Sequence, residues 1–220
     1  MTPTNKDKKY FIFDLDGTVV NPGTAIPRCI NFALTKHGAK SVPIERLKRY
    51  IGFDMASIFG EITKRKDKRF IKSCVESYRE RYHKDGIAEH RLYPGIVGLL
   101  EAAGQVGNLV IASIKPQISC EMVLDHLGIR PMFTSVYGSE LDGKRSDKSE
   151  LLKHVMAKEK IKSAYVIGDR ALDIEAAKKL NCRSIGVSYG YGTKDELSAA
   201  GADQIAETVG ELRQYLLSAT

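Results

Sequence analysis

The sequence is poor in cysteine, has no long apolar run, and carries no internal repeat or low-complexity segment. Its four cysteines (Cys29, Cys74, Cys120 and Cys182) stand far apart in 220 residues, and none forms a C-x-x-C pair. That spacing argues against a disulfide framework or a zinc site, and for reduced thiols in a cytosolic protein. No segment approaches the roughly 20 apolar residues needed to cross a bilayer. The charged start, MTPTNKDKKY, is followed only by a short apolar run at 10–13, too short for the core of a secretory signal. A cytoplasmic protein with no membrane partner is expected. The five histidines (His37, His83, His90, His126 and His154) show no H-E-x-x-H spacing and read as surface or packing residues.

What is present allows a sizeable core. Apolar residues make up 43% of the chain, enough to exclude wholesale disorder, and the length suits one large domain or a core with a smaller insert. The net charge of +7 permits nucleic-acid binding. The basic residues are spread, however, with one denser stretch at 64–72 and no aromatic-interleaved basic motif. A solvated helix face explains that stretch most simply, attraction of an anion second. No nucleic-acid partner is expected.

Short runs at 10–13, 109–112, 165–167 and 184–187 are apolar on both faces, with a weaker one at 135–137. They read as strands of a parallel sheet buried beneath helices. Helical patterns separate them: from Pro94 to about Gly104, from Pro116 to near Gly128, from about Ser146, and from about Arg170 to Asn181. Thr193 with Glu196, and Thr208 with Glu211, resemble capping boxes. Strand alternating with helix predicts an α/β fold, a doubly wound (Rossmann-like) parallel sheet. The alternation breaks at about 21–90, where four helical signals follow one another: 25–37, 43–52, a segment after Asp54, and 67–85 with Phe70, Ile71, Cys74, Val75, Tyr78 and Tyr82 on one stripe. The expected organisation is an α/β core from 1–20 and 91–220 with an inserted all-helical cap domain at 21–90.

In such sheets ligands bind beyond the carboxyl ends of the strands. Asp14 and Asp16 follow the first run, Ser113 and Lys115 the second, Asp169 and Asp173 the third. Three strands thus deliver polar groups to one edge. Asp14 and Asp16, two residues apart on an extended segment, point the same way. Their mutual repulsion calls for a cation, and a hard ion such as Mg²⁺ prefers oxygen ligands. Gly17 lets the chain turn after them. Asp169 and Asp173 alone are explained as partners of a helix dipole, but joined to the first pair they make a four-acid metal site. Ser113 and nearby N–H groups could hold a phosphoryl oxygen or simply cap a helix. Lys148 stands at a predicted helix start, where a cation opposes the dipole, so another reason for its presence is sought.

Together these residues resemble the haloacid dehalogenase superfamily of phosphohydrolases. The order matches: D-x-D-G-T at 14–18, a hydroxyl residue at Ser113, a lysine at Lys148, and G-D-x-x-x-D at 168–173. The stretches Tyr78-Arg-Glu-Arg-Tyr82, Leu92-Tyr-Pro-Gly95, Gly138-Ser-Glu-Leu-Asp-Gly143 and Gly190-Tyr-Gly192 look like the phosphoglycolate phosphatase or 5′-nucleotidase branch, and the helical insert like its cap. The resemblance implies Mg²⁺-dependent hydrolysis of small phosphate monoesters, of the phosphoglycolate or nucleoside 5′-monophosphate type, through an aspartyl-phosphate. Asp14 would be the nucleophile and Asp16 the general acid and then base. Asp14, Asp16 through its backbone carbonyl, and Asp169 would hold the ion, with Asp173 supporting it. Ser113, Lys148 and the backbone N–H of Ile114 would grip the phosphoryl group. Relatives often read Thr-Ser-Lys-Pro where this chain has Ser113-Ile-Lys-Pro116, so Ile114 brings no hydroxyl to that loop.

Other readings fit less well. Gly138-x4-Gly143-Lys144 nearly matches a P-loop, but Arg145 replaces the Mg²⁺-binding hydroxyl residue. The D-x-D-G run lacks the later ligands of an EF-hand. A dehalogenase would not keep Asp16 or need a metal. A phosphomutase shares every motif and is the nearest rival, and an idle binding protein on the same fold is a rival of another class. The sequence does not separate a monomer from a homodimer.

Overall fold

The computed structural model describes residues 9–218; the charged start at 1–8 lies outside them. The chain divides into two compact units, one formed by the described residues up to Asn21 together with those from Leu92 onward, the other by Pro22–Arg91. Strands β2 (Val20–Asn21) and β3 (Arg91–Leu92) mark the two crossings.

The first unit is built on six parallel strands in the order β5-β4-β1-β6-β7-β8. They are β1 (Lys9–Phe13), β4 (Gly107–Pro116), β5 (Ser135–Ser139), β6 (Tyr165–Gly168), β7 (Arg183–Val187) and β8 (Gln204–Ala206). Helices α5 (Ile96–Val106), α6 (Gln117–His126), α7 (Lys148–Glu159), α8 (Ala171–Lys179), α9 (Lys194–Ala200) and α10 (Val209–Ser218) connect and cover them. Side chains alternate across each strand. Ile12, Val110 and Val166, on three adjacent strands, pack with Leu151, Leu152 and Val155 of α7 and Ala176 and Ala177 of α8. Phe13, one residue on, meets Phe133 edge-on, with ring centroids 6.5 Å apart. Both faces are buried, which is why these strands read as unbroken apolar runs.

Three details differ from the sequence expectation. β8 escapes a hydrophobicity reading because it has three residues and only its last is buried. β4 runs on through Pro116, so this proline is the extended residue before α6 (φ −54, ψ 138) and not part of the first helical turn. Ser113 therefore lies within a strand, not at a helix cap. Helix starts were better marked. Asp147 accepts from the Glu150 N–H to open α7, and Thr193 and Thr208 accept from the N–H groups of Glu196 and Glu211.

The second unit is helical: α1 (Ala25–Lys36), α2 (Ile44–Lys48), α3 (Met55–Thr63) and α4 (Lys68–Arg81). The 43–52 signal yields a helix of only five residues. The 67–85 signal yields α4, followed by one π-helical turn at Tyr82–Gly86. That turn brings the Tyr82 hydroxyl within 2.9 Å of His90 Nε2, while His90 Nδ1 donates to the Gly86 carbonyl at 3.0 Å. His90 is thus a buried packing residue with both ring nitrogens engaged. Among the described residues no helix is long and apolar enough to cross a membrane.

Candidate active site

The polar edge of the first unit is assembled where β1, β4 and β6 end. Asp14 follows β1 directly, and its N–H donates to Ile167 of the neighbouring strand at 2.8 Å. The ladder thus continues up to the first acid and fixes its direction. Gly17, at φ +87, turns the chain immediately afterwards, and a Cβ there would fall inside the Asp169 carboxylate. No other residue fits this turn without displacing a member of the site.

Carboxylate oxygens of Asp14, Asp169 and Asp173 all lie within 4.8 Å of one another, and all three residues are buried. Burial, with Asp173 and Asp16 beside it and Lys148 pulling the other way, pushes the Asp14 carboxyl up to about 6. Burial and the charges of Asp14 and Asp173 hold Asp169 well above the ordinary carboxylate range, although the Tyr191 N–H donates to it at 2.8 Å and opposes the shift. The cluster is therefore short of positive charge. Its donors are oxygens only, with neither sulfur nor imidazole, a set that fits a hard divalent cation.

Lys148 brings a cation to the centre. Its ammonium lies 2.6 Å from Asp14 Oδ1 and 2.6 Å from Asp173 Oδ1, and donates to the Ala112 carbonyl at 2.7 Å. Burial alone would lower its pKa, but the two carboxylates outweigh that and raise it. Here is the reason for a lysine at a helix start: its target is the acid cluster. Asp173, in the first turn of α8, also accepts from the Arg170 N–H at 3.1 Å, so it serves both as helix cap and as partner of Lys148.

Asp16 turns to a different cation. Lys115, at the end of β4, puts its ammonium 2.6 Å from Asp16 Oδ2, with both side chains almost wholly buried. Ser113 is buried nearby on the same strand, and its hydroxyl oxygen accepts from the Lys115 N–H at 3.4 Å. Ile114 turns the other way, packed against the core beneath α7 and α8, while its carbonyl accepts from the Ser139 hydroxyl at 2.7 Å.

Residues 11–187 match the model of the haloacid dehalogenase-like hydrolase family. The chain belongs to this family. Over 210 residues, covering 94% of this chain and 95% of the relative, it is 36% identical to a 5′-nucleotidase of Pseudomonas aeruginosa. A phosphoglycolate phosphatase of Vibrio parahaemolyticus is 26% identical over 223 residues, covering 97% of this chain and 98% of the relative. The crystal structure of a predicted phosphatase from Clostridium acetobutylicum superposes with a TM-score of 0.91 at 33% identity, over 96% of this chain and 99% of that one. This haloacid dehalogenase-like hydrolase is an enzyme of the phosphatase kind.

In this hydrolase Asp14, Asp169, Asp173 and Lys148 form one connected cluster, and Asp16 and Ser113 sit at the same strand ends. Lys115 was visible in the sequence as a polar residue after a strand but carried no expected role; its pairing with Asp16 gives it one. Breaking a buried ion pair by removing one partner costs about 3–5 kcal/mol. Lys115→Met is therefore expected to lower the free energy of unfolding by about 3 kcal/mol, as read from urea denaturation at neutral pH. An unchanged midpoint would mean that Asp16 finds its charge balance elsewhere.

Proposed function

We propose that the enzyme hydrolyses small phosphate monoesters with Asp14 as nucleophile and Mg²⁺ as cofactor. The observation that carries the reading is the position of Asp14: buried, directly beyond β1, 2.6 Å from the Lys148 ammonium and clustered with Asp169 and Asp173. A carboxylate attacking a phosphate dianion faces strong repulsion, and positive charge at this point relieves it. Asp14, Asp169 and the backbone carbonyl of Asp16 would hold the ion, with Asp173 supporting it, and its charge would offset that of the phosphoryl oxygens.

The chain's own groups do the rest. Asp14 forms a bond to phosphorus as the bond to the leaving alcohol oxygen breaks. Asp16 gives that oxygen a proton, and later takes one from the water that hydrolyses the aspartyl-phosphate. An incoming phosphate competes with Asp16 for the Lys115 ammonium, which leaves Asp16 free to carry the proton. Lys148, the Ser113 hydroxyl and the backbone N–H of Ile114 grip the phosphoryl oxygens; since the Ile114 side chain faces the core, only its backbone is asked to serve. We assign the chemistry to the α/β unit and substrate choice to the helical one. Phosphoglycolate and nucleoside 5′-monophosphates are the favoured substrates, because relatives over nearly the full length carry those activities in their names. The four buried thiols, none of them in a disulfide, suit a cytoplasmic enzyme.

The test is release of inorganic phosphate from p-nitrophenyl phosphate and from a panel of small phosphomonoesters, with Mg²⁺ or with EDTA. Chelation is expected to reduce turnover by about 100-fold or more, since the ion supplies several kcal/mol of transition-state stabilisation. Restored activity on adding Mg²⁺ completes the expectation; equal rates in both buffers would defeat the metal assignment. Transfer of the phosphoryl group to a sugar instead of water would replace hydrolysis by the mutase reaction.

A further inference from the structure

The helical unit contains a cavity of about 320 Å³ whose lining includes Arg46, Arg49, Tyr50, Glu61 and Lys64. None of its lining residues belongs to the acid cluster. Its size falls at the lower end of small-molecule pockets, about 300–1,000 Å³. Three cationic residues against one acid leave this lining at +2.

One wall is already balanced. The Arg49 guanidinium donates to the Tyr50 hydroxyl at 2.6 Å and pairs with Glu61 at 3.1 Å. The Tyr50 hydroxyl donates to the same Glu61 oxygen at 2.7 Å, and the guanidinium lies 4.7 Å from the Tyr50 ring centroid. The only acid of the lining is therefore committed to Arg49 and Tyr50. Arg46 and Lys64 bring two further charges to the same space, and among the described residues neither has a carboxylate in ion-pair range. Lys64 is held there at some cost. It ends α3 in the left-handed conformation, at φ 57 and ψ 18, a position that usually favours Gly or Asn. Its charge suits the negative end of α3, as that of Arg46, in the last turn of α2, suits the end of its own helix, but a helix end carries only about half a unit of charge and neutralises neither side chain.

We propose that this cavity binds a small phosphate-bearing metabolite at a site that shares no residue with the phosphoryl-transfer cluster. Guanidinium groups match the oxygens of a phosphate in pairs, and an ammonium adds a mobile point charge. Pro43 and Ile62 supply an apolar surface for the rest of the molecule. This assigns a purpose to two charges that catalysis leaves unused, Arg46 and, at the start of the basic stretch at 64–72, Lys64.

Inorganic phosphate is the probe, added to the full-length ¹⁵N-labelled protein at constant ionic strength while backbone amide shifts are recorded. The readout is residue-resolved and independent of turnover, so it succeeds or fails separately from the phosphatase reading. Saturable shifts at Arg46, Arg49 and Lys64, with a midpoint of about 1 mM, are expected. The double variant Arg46→Gln, Lys64→Gln should lose them while shifts near Ser113 persist; both side chains are exposed, so the fold is retained. Glu61→Gln, which removes the acid, should tighten the midpoint several-fold. Shifts that stay linear in phosphate, or saturable shifts that survive in the double variant, would overturn the site.

Discussion

Asp14→Asn is expected to reduce phosphate release from p-nitrophenyl phosphate by about 10³-fold or more, because in the proposed mechanism it removes the attacking group itself and not an accessory to it. The substitution is nearly isosteric. The backbone N–H bond to Ile167 does not depend on the side chain, and the amide oxygen can still accept from Lys148. Stability should move the other way. A carboxyl whose folded pKa is raised from 3.8 to about 6 makes the fold less stable as pH climbs through that interval, and the full cost is present above it. An uncharged amide has no such cost. In metal-free buffer at pH 7 the variant should therefore unfold at or above the wild-type temperature. An inactive variant with an intact or higher melting temperature identifies the nucleophile; wild-type turnover in the variant would remove Asp14 from that role.

Lys148→Met should damage both activity and folding. The lysine joins four elements at one atom, since Asp14 follows β1, Ala112 lies on β4, Asp173 on α8 and Lys148 itself on α7. Methionine keeps most of the buried stem and deletes the charge, leaving two buried carboxylates facing each other. Loss of a partner from such a pair costs about 3–5 kcal/mol, and loss of a positioned cation at a developing phosphoryl charge typically costs about 10²–10³ in turnover. Urea denaturation and steady-state kinetics read the two effects separately. Lys148→Arg is not expected to rescue activity: a planar guanidinium does not fit a slot sized for a compact ammonium with three acceptors at 2.6–2.7 Å. Near-normal turnover in the arginine variant would show that only charge matters here.

Much of this arrangement was legible from the chain alone. The parallel sheet is written in residues such as Phe11 to Phe13 and Val110 to Ala112, which are buried whichever way they point. The acids stood out because each follows such a run. Lys148 was conspicuous for an electrostatic reason, as a cation where a helix start disfavours one, and it is buried against the acid cluster. Pairings between distant residues were not legible. Nothing in the spacing of Lys115 and Asp16 announces that they meet, because the contact depends on β4 lying beside β1. Nor did the local signal reveal that Ser113 remains in a strand: Pro116 is compatible with both an extended segment and a first helical turn, and the pairing of β4 with β5 decides between them. Edge elements such as β8 were silent because they bury too little to leave a pattern.

The placement of the thiols has a use of its own. Cys29 and Cys74 lie in the helical unit, Cys120 and Cys182 in the α/β unit, and all four are shut away from solvent. An alkylating reagent can reach them only when the surrounding structure opens, so the rate at which each pair is modified measures how often its own unit opens. The native chain thus carries a built-in reporter for asking whether its two parts come undone together or one at a time.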